Sequence, residues 1–367
     1  MLGSSLRVSG QDDLGHWEWI VAGQVIAIAW TIGLFVANAA TAAPVCAPAQ
    51  PEMPSMFLPR SEPAEIILDI TWLVFGICAV IFVIMEGLII WAIIRYRQRR
   101  DDTNGSEPPQ IYGSNPIELA WTVIPLLIVF ILFLVSARGI FEIDKQEPPP
   151  GSLEVTVVGH RWWWEFDYGE LGFVTANELH VPLTKDGEAQ SIYLTLESAD
   201  VLHSFWVPQL AGKKDVVPGR TNHLWLKPRQ MGTYVGQCAE YCGNQHANML
   251  ITVYVHSEAD FDRWVANQQR DAVEDAVVAD GRDIFMQTAC INCHTIRGTV
   301  ADGTFAPDLT HLMSRSVLGA GAAANTPDRL REWVWDPQNI KPGCDMPSMK
   351  LSHDETDRIC AYLETLK

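Results

Sequence analysis

Two long apolar stretches near the start of the chain restrict its fold most strongly. Residues 66–94 and 117–138 contain few charged side chains, and each is at least as long as the ~20 residues that a helix needs to cross a bilayer. The segment between them begins with Arg95-Tyr96-Arg97-Gln98-Arg99-Arg100, and a basic loop of this kind stays on the cytoplasmic side of a membrane. We therefore expect a transmembrane hairpin within residues 44–140, with the rest of the chain on the outer side.

An earlier apolar stretch, at about residues 20–40, has two interpretations. It ends in Ala39-Ala40-Thr41-Ala42-Ala43, which is typical of a signal-peptide cleavage site. The segment before it contains several acidic residues and only Arg7 as a basic one, which is unusual for a signal peptide. Residues 1–43 are therefore either a signal peptide or an extra transmembrane segment.

Residues 153–257 have the pattern of an all-β domain. Short runs rich in β-branched and aromatic residues alternate with turns rich in Gly, Pro and Asp, which predicts a β-sandwich or barrel. Strands are expected at 155–158, 192–196, 223–226 and 251–255. The preceding Glu147-Pro148-Pro149-Pro150-Gly151 predicts a stiff linker, and the polar segment 260–279 predicts a connecting helix.

The last part of this β-rich region carries a dense set of metal ligands. Cys238, Cys242, His246 and Met249 lie within twelve residues, and His203 lies upstream. A mononuclear blue-copper site uses one Cys, two His and a weak axial Met. The second Cys lets two thiolates bridge two copper ions, each capped by one His, with Met249 and the backbone carbonyl of Glu240 as weak ligands. Such a rigid core suits electron transfer rather than bond-making.

Zinc or a disulfide is the plainer interpretation of Cys238 and Cys242. Neither a structural zinc site nor a disulfide explains the nearby Met249 or the upstream His203. The sequence therefore favours copper.

A second cofactor motif lies near the C-terminus. Cys290-Ile291-Asn292-Cys293-His294 is the CxxCH signature of covalent haem c attachment. His294 would be the proximal ligand, and a Met is the usual sixth ligand in electron-carrying cytochromes. Met346, which precedes a proline, is favoured over Met349 and Met313. We expect residues 276–367 to form an all-α cytochrome c domain.

The composition narrows the class of partner. The formal net charge of −18 argues against nucleic-acid binding. The same charge is compatible with attraction of a basic protein, or with a solvated acidic surface that only aids solubility. Hydrophobic residues make up 48% of the chain, which fits a membrane protein.

Together these motifs resemble subunit 2 of the haem–copper cytochrome c oxidases, whose dinuclear copper centre is called CuA, fused to a class I cytochrome c domain. The subunit 2 resemblance covers about residues 62–256. It implies a multidomain membrane protein with a transmembrane α-helical hairpin, an all-β cupredoxin-like domain at 153–257 and an all-α cytochrome c domain at 276–367.

The same resemblance implies roles for three further residues. Trp162, the first of three consecutive tryptophans, would receive electrons through an exposed indole on the face that meets cytochrome c. Glu118 matches a carboxylate at the entrance of a proton path in the partner subunit. Glu240 would also use its carboxylate to bind a magnesium ion at the boundary with subunit 1.

The family resemblance implies the electron-input subunit of a bacterial terminal respiratory oxidase, that is, subunit 2 of a cytochrome-c oxidase. Electrons would pass from a soluble or membrane cytochrome c, or from a bc-type complex, through haem c and CuA to the oxygen-reducing centre in subunit 1. Expected partners are subunits 1 and 3 in the bacterial cytoplasmic membrane. The copper and haem domains would then face the periplasm.

Three other functions are alternatives to this one. A quinol oxidase subunit 2 would have the same fold but would lack the copper ligands, so their presence here argues strongly against it. A CuA-type nitric oxide reductase could use a similar electron-input subunit. A membrane-anchored copper-binding assembly protein would also need thiols, but the haem signature disfavours it.

Overall fold

The chain is described by a computed structural model covering residues 54–97, 110, 112–273 and 275–367. The predicted signal peptide or extra transmembrane segment at 1–43 lies outside the described residues. So does most of the basic segment that follows the first predicted span.

Two helices form the predicted hairpin. α1 is Glu62–Tyr96 and α2 is Asn115–Ile143, and both are long and apolar enough to cross a membrane. Each helix has a proline in its first turn, where the missing N–H would lack an intrahelical partner anyway. The helices approach closely at Gly139, where an added Cβ would lie 2.5 Å from Cδ1 of Ile70.

The middle of the chain forms a two-sheet β-sandwich, as predicted. The strands are β1 Leu153–His160, β2 Trp163–Tyr168, β3 Phe173–Ala176, β4 Glu178–Pro182, β5 Thr184–Lys185, β6 Glu188–Ala189, β7 Ile192–Ser198, β8 His203–Trp206, β9 Lys214–Val216, β10 Asn222–Leu226, β11 Gly232–Cys238 and β12 Leu250–His256. One five-stranded sheet has the order β10-β7-β1-β2-β3 and the other has the order β4-β12-β11-β8-β9. Side chains alternate between buried and less buried along β1, β2 and β12, so one face of each sheet packs into a shared core.

The C-terminal region is helical, as predicted, with one short hairpin. Its main contact joins the helices Ala279–Gln287 and His353–Leu363, and an added Cβ on Gly281 would lie 1.9 Å from the carbonyl oxygen of Arg358. Only glycine allows this approach, which brings Phe285 and Tyr362 into one core. The elements are α3 Glu258–Gln268, α4 Ala279–Gln287, β13 Val317–Leu318, β14 Ala323–Ala324, α5 Pro327–Trp335 and α6 His353–Leu363.

The connecting helix is shorter than predicted. It ends at Gln268 rather than continuing to Ala279. Trp264 and Val265, in the middle of the helix, pack against the sandwich, whereas the following Gln269, Arg270 and Asp271 offer no apolar side chain to bury. Without tertiary packing, a short helix gains too little to extend.

Both outer ends of the helical hairpin are attached to the sandwich. At the start of α1, the Ser61 hydroxyl accepts a hydrogen bond from the Lys227 amide at 2.9 Å. At the end of α2, the indole of Trp225 donates to the carbonyl of Ile143 at 2.8 Å. The two ends therefore lie on the same side of the predicted membrane, as a hairpin requires.

The sandwich and the helical region share a polar interface. The buried carboxylate of Glu178 accepts hydrogen bonds from the amide and the hydroxyl of Ser316, at 2.7 and 2.6 Å. Next to it, Nδ1 of His180 lies 2.8 Å from Nε2 of His256, whose strand leads into α3. Burial lowers the pKa of His256 to about 4, and the neighbouring His180 acts in the same direction.

We expect the folded chain to lose stability as the pH falls from about 6.5 towards 4. The folded state keeps His256 neutral, so between about pH 6.5 and 4 the unfolded state binds more protons than the folded state. The free energy of unfolding therefore falls as the pH falls. His256→Gln should make the fall smaller, as measured by denaturant midpoints across the pH range. The exposed His353→Gln is the control, and an unchanged slope in His256→Gln would assign the pH dependence to another group.

Candidate metal centres

The copper-ligand loop, residues 238–249, is fixed at both ends by the strands that flank it. β11 pairs antiparallel with β12 and places Cys238 opposite Phe205 of β8. The Cys238 amide donates to the carbonyl of Met249 at 2.9 Å, and this closes the loop. The loop and β8 therefore bring the predicted ligands to one place.

All six predicted copper ligands come together. Four of them, His203, Cys238, Cys242 and Met249, are buried, whereas Glu240 and His246 are half-buried. The two sulfurs lie 3.8 Å apart, far beyond the ~2.05 Å of a disulfide bond. Further distances are 3.9 Å from Cys238 Sγ to His203 Nδ1, 3.5 Å from Cys242 Sγ to His246 Nδ1, 3.8 Å from Cys242 Sγ to Met249 Sδ and 3.2 Å from Cys238 Sγ to the Glu240 carbonyl oxygen.

The pKa values of the two thiols are shifted in opposite directions. The hydrogen bond between the two side chains lowers the pKa of Cys238, and burial opposes this shift. The same contact, together with burial, raises the pKa of Cys242. Because thiolates are the metal-binding form, loading this site releases protons.

Asp200, which was not predicted from the sequence, contacts one of the predicted copper ligands. Its carboxylate lies 2.8 Å from Nε2 of His203 and accepts backbone amides from Val201 and Arg161, each at 2.6 Å. This arrangement directs Nδ1 of His203 towards Cys238. Burial alone would lower the pKa of His203, but the hydrogen bonds with Asp200 and Cys238 raise it. The sequence feature that could have predicted this contact is a carboxylate three residues before a predicted copper-binding His.

Gly159 makes room for the same imidazole. An added Cβ at this position would lie 2.9 Å from Cδ2 of His203. A side chain at position 159 would therefore displace the ring of His203.

Trp162 contacts the copper-ligand loop but is not exposed. Its side chain is buried, with 7% of the residue surface accessible, so the predicted exposure is wrong. The indole Nε1 donates to the carbonyl of Cys242 at 3.0 Å, and an added Cβ on Gly243 would lie 3.0 Å from the ring. Trp164 is fully buried in the sandwich core.

The CxxCH segment is a compact turn that ends at the predicted haem ligand His294. The amides of Cys293 and His294 both donate to the Cys290 carbonyl, at 3.2 and 3.0 Å, so the segment forms one tight turn. Nδ1 of His294 lies 2.7 Å from the carbonyl oxygen of Pro307, which leaves Nε2 as the ligand atom. Burial lowers the pKa of His294 and keeps the ring in its neutral, metal-binding form.

Met346 lies on a separate loop. Gln338 holds this loop by donating to the carbonyls of Cys344 and Met346, each at 3.0 Å. Met346, Met349 and Met313 are all half-buried. The choice of Met346 as the sixth ligand stays a prediction. Cys344 and Cys360 are both free thiols.

Two predicted carboxylates, those of Glu240 and Glu118, lie outside the copper-ligand cluster. The carboxylate of Glu240 is 3.7 Å from Nζ of Lys213, a cation that competes with magnesium for the same oxygens. Glu118 is exposed in the first turn of α2. The roles of both carboxylates stay predictions.

The donor sets fit the two predicted cofactors. Two thiolates, two imidazoles and a thioether within one cluster suit copper better than zinc. Two thiols beside an imidazole whose Nδ1 is already bound suit haem c.

Asp200→Asn should weaken copper binding by about 10- to 100-fold, because it removes the charged partner of a ligating imidazole. The measurement is copper retained against a competing chelator. The haem c content should not change, and the exposed Asp186→Asn is the control. Equal copper retention in both variants would show that Asp200 does not support the site.

Comparisons with known proteins agree with this arrangement. Residues 56–138 match the transmembrane domain of the family "Cytochrome C oxidase subunit II", and residues 176–256 match its periplasmic domain. Residues 278–367 match the cytochrome c family. The three matches follow the order of hairpin, sandwich and helical region.

Whole-chain relatives carry the same description. Cytochrome c oxidase subunit 2 of Alkalihalophilus pseudofirmus is 33% identical, over 84% of this chain and 90% of the relative. The Bacillus subtilis protein of that name is 30% identical, over 85% of this chain and 92% of the relative. Among solved structures, the periplasmic domain of subunit II of cytochrome oxidase from Bradyrhizobium japonicum is 30% identical, with a TM-score of 0.31, over 34% of this chain and 97% of that one.

Proposed function

The chain belongs to the cytochrome c oxidase subunit 2 family and carries a cytochrome c domain, and from this we propose that it is the electron-input subunit of a bacterial terminal respiratory oxidase. It would receive electrons from a soluble or membrane cytochrome c, or from a bc-type complex. It would deliver them to the oxygen-reducing subunit 1. Subunit 3 is a further proposed partner.

The single observation that carries this proposal is the convergence of the copper donors. His203 on β8 and the ligands of the copper-ligand loop are far apart in sequence, yet they meet in one buried cluster. We assign a dinuclear copper centre to Cys238, Cys242, His203, His246, Met249 and the carbonyl of Glu240. We assign haem c to Cys290, Cys293 and His294, with Met346 as the sixth ligand.

Both cofactors, when bound, supply one-electron transfer with little change in geometry. The chain contributes rigidity and exclusion of water. Burial of Cys238, Cys242 and Met249 keeps solvent from the cluster, and the Asp200 contact fixes the orientation of His203. Trp162, hydrogen-bonded to the carbonyl of Cys242, is the residue through which we propose that electrons approach this loop.

Three assignments rest on the family resemblance. We propose that Glu118 lies at the entrance of a proton path and that the Glu240 carboxylate binds magnesium in the assembled complex. We also propose that the protein sits in the bacterial cytoplasmic membrane with the sandwich on the periplasmic side. The two apolar helices and the attachment of both hairpin ends to the sandwich support this orientation.

The function is tested by a reduced-minus-oxidised optical spectrum of the complex purified through this chain, together with copper quantitation. Haem c with haem a, CuA absorption and oxygen consumption would support the proposal. Haem c with only b-type haem and turnover of nitric oxide would indicate a nitric oxide reductase. Exchangeable Cu(I) without haem would indicate an assembly protein.

Cys238→Ser should abolish the mixed-valence copper signal in electron paramagnetic resonance, because a hydroxyl cannot replace a bridging thiolate. Haem c should stay attached, since its thiols lie in the other domain. The control is Cys78→Ser on the exposed surface of α1. A mixed-valence signal that persists in Cys238→Ser would contradict the copper assignment.

Met346→Ala should convert the haem from low spin to high spin, because it removes the sixth ligand. Optical and paramagnetic resonance spectra measure this change, and the copper signal should be retained. Met349→Ala and Met313→Ala are matched controls. A low-spin spectrum in Met346→Ala, with the change in one of the controls instead, would move the assignment to that methionine.

A further inference from the structure

A lysine of the cytochrome domain reaches into the sandwich beside the copper-ligand loop. Lys341 follows the 3₁₀ turn Pro337–Asn339, five residues before Met346. Only 2% of its surface is accessible. A lysine is rarely buried this deeply unless its charge has partners.

The ammonium group of Lys341 has a partner for every proton. It donates to the carbonyl oxygens of Trp162 at 2.7 Å, Asn248 at 2.8 Å and Gly319 at 2.7 Å. An ammonium has three N–H donors and no acceptor, so these bonds satisfy it completely. Burial lowers the pKa of Lys341 to about 8, so the group is still mostly charged at neutral pH.

The three acceptors belong to two domains. Trp162 and Asn248 are part of the sandwich, and Asn248 lies within the copper-ligand loop. Gly319 is in the cytochrome domain, between β13 and β14. A lysine that served only the cytochrome domain would not need two acceptors in the sandwich.

Neighbouring contacts join the same two loops. The side-chain amide of Gln245, in the copper-ligand loop, donates to the carbonyl of Pro342 at 2.6 Å. An added Cβ on Gly343 would lie 3.6 Å from Nδ2 of Asn244. The loop that carries Met346 therefore packs directly on the loop that carries the copper ligands.

Two hydrogen bonds connect Lys341 to a proposed copper ligand. Lys341 binds the carbonyl of Trp162, and the indole of Trp162 donates to the carbonyl of Cys242. Movement of Lys341 would therefore disturb both the position of the cytochrome domain and the contact between Trp162 and the copper-ligand loop.

We propose that Lys341 is a positioning residue for electron transfer within this chain, which holds the Met346 loop against Trp162 and the copper-ligand loop. The proposal rests on the function proposed above. It gives Lys341 no contact with either metal: it acts through the backbone of Trp162, Asn248 and Gly319. Loss of the ammonium would leave three carbonyls at the domain interface without their donor. The docked arrangement of the two domains would then be only one of several arrangements that the chain adopts.

The test uses Lys341→Met in the full chain within its purified complex. Methionine keeps most of the length of the side chain and removes all three donors. After rapid photoreduction of haem c, electron equilibration with copper should fall to about a tenth of the wild-type rate or lower, because the observed rate scales with the fraction of molecules in the docked state. Hydrogen–deuterium exchange at the amides of residues 159–164 and 244–249 should rise in the same variant.

Two further variants keep this test decisive. Lys341→Gln retains an amide donor and should give an intermediate rate; it also replaces Lys341→Met if that variant does not fold. Lys185→Met, an exposed lysine on β5, makes the same charge change away from the interface and should leave both readouts at wild-type values.

The outcomes separate the role of Lys341 from the function of the chain. Slower equilibration and faster exchange, with unchanged haem c and copper spectra, would support the positioning role. An unchanged equilibration rate would overturn it, even if exchange rose, because Lys341 would then be purely structural. Absence of haem c or of the mixed-valence copper signal from the wild-type complex would instead contradict the proposed function.

Discussion

The pairing of β11 with its two neighbouring strands is the constraint on which the candidate copper centre depends. β8 on one side supplies His203, and β12 on the other begins just after Met249. The hydrogen bond from the Cys238 amide to the Met249 carbonyl closes the segment between them. A ligand set spread over 47 residues of sequence, from His203 to Met249, is thereby reduced to one loop and one strand end. The sheet, rather than the loop itself, fixes where each ligand atom lies.

Local sequence patterns were sufficient to predict a helical hairpin, a β-sandwich and a helical C-terminal region. Cys238, Cys242 and His246 sit at spacings that one loop can bring together, and the alternation along β1 and β12 is visible without a structure. The glycine at 281 and the apolar face of α6 likewise indicate how the cytochrome domain packs. In these cases the information lies within a few residues of the feature that it predicts.

Features that depend on contacts between segments far apart in the chain could not be predicted from the sequence. Trp162 was expected on the surface, but its indole donates to the Cys242 carbonyl, 80 residues away in the chain. The local sequence around Lys341 does not distinguish it from an ordinary surface lysine. Only the packing of two domains gives it three backbone acceptors. The connecting helix ended early for a related reason, since its length follows the apolar surface that the sandwich offers it.

The attachment of the sandwich to both hairpin ends has a mechanical consequence. Trp225 receives Lys145 against its ring at 4.0 Å and binds the end of α2, while Arg229 pairs with Glu65 near the start of α1 at 2.9 Å. A globular domain held by a single tether can swivel and change its height above the lipid headgroups. Attachment at two separate points restricts this motion, so the sandwich keeps a fixed orientation relative to the two helices. Tilting of the domain would then require both helices to bend together. The copper-ligand loop therefore stays at a constant distance from the membrane surface.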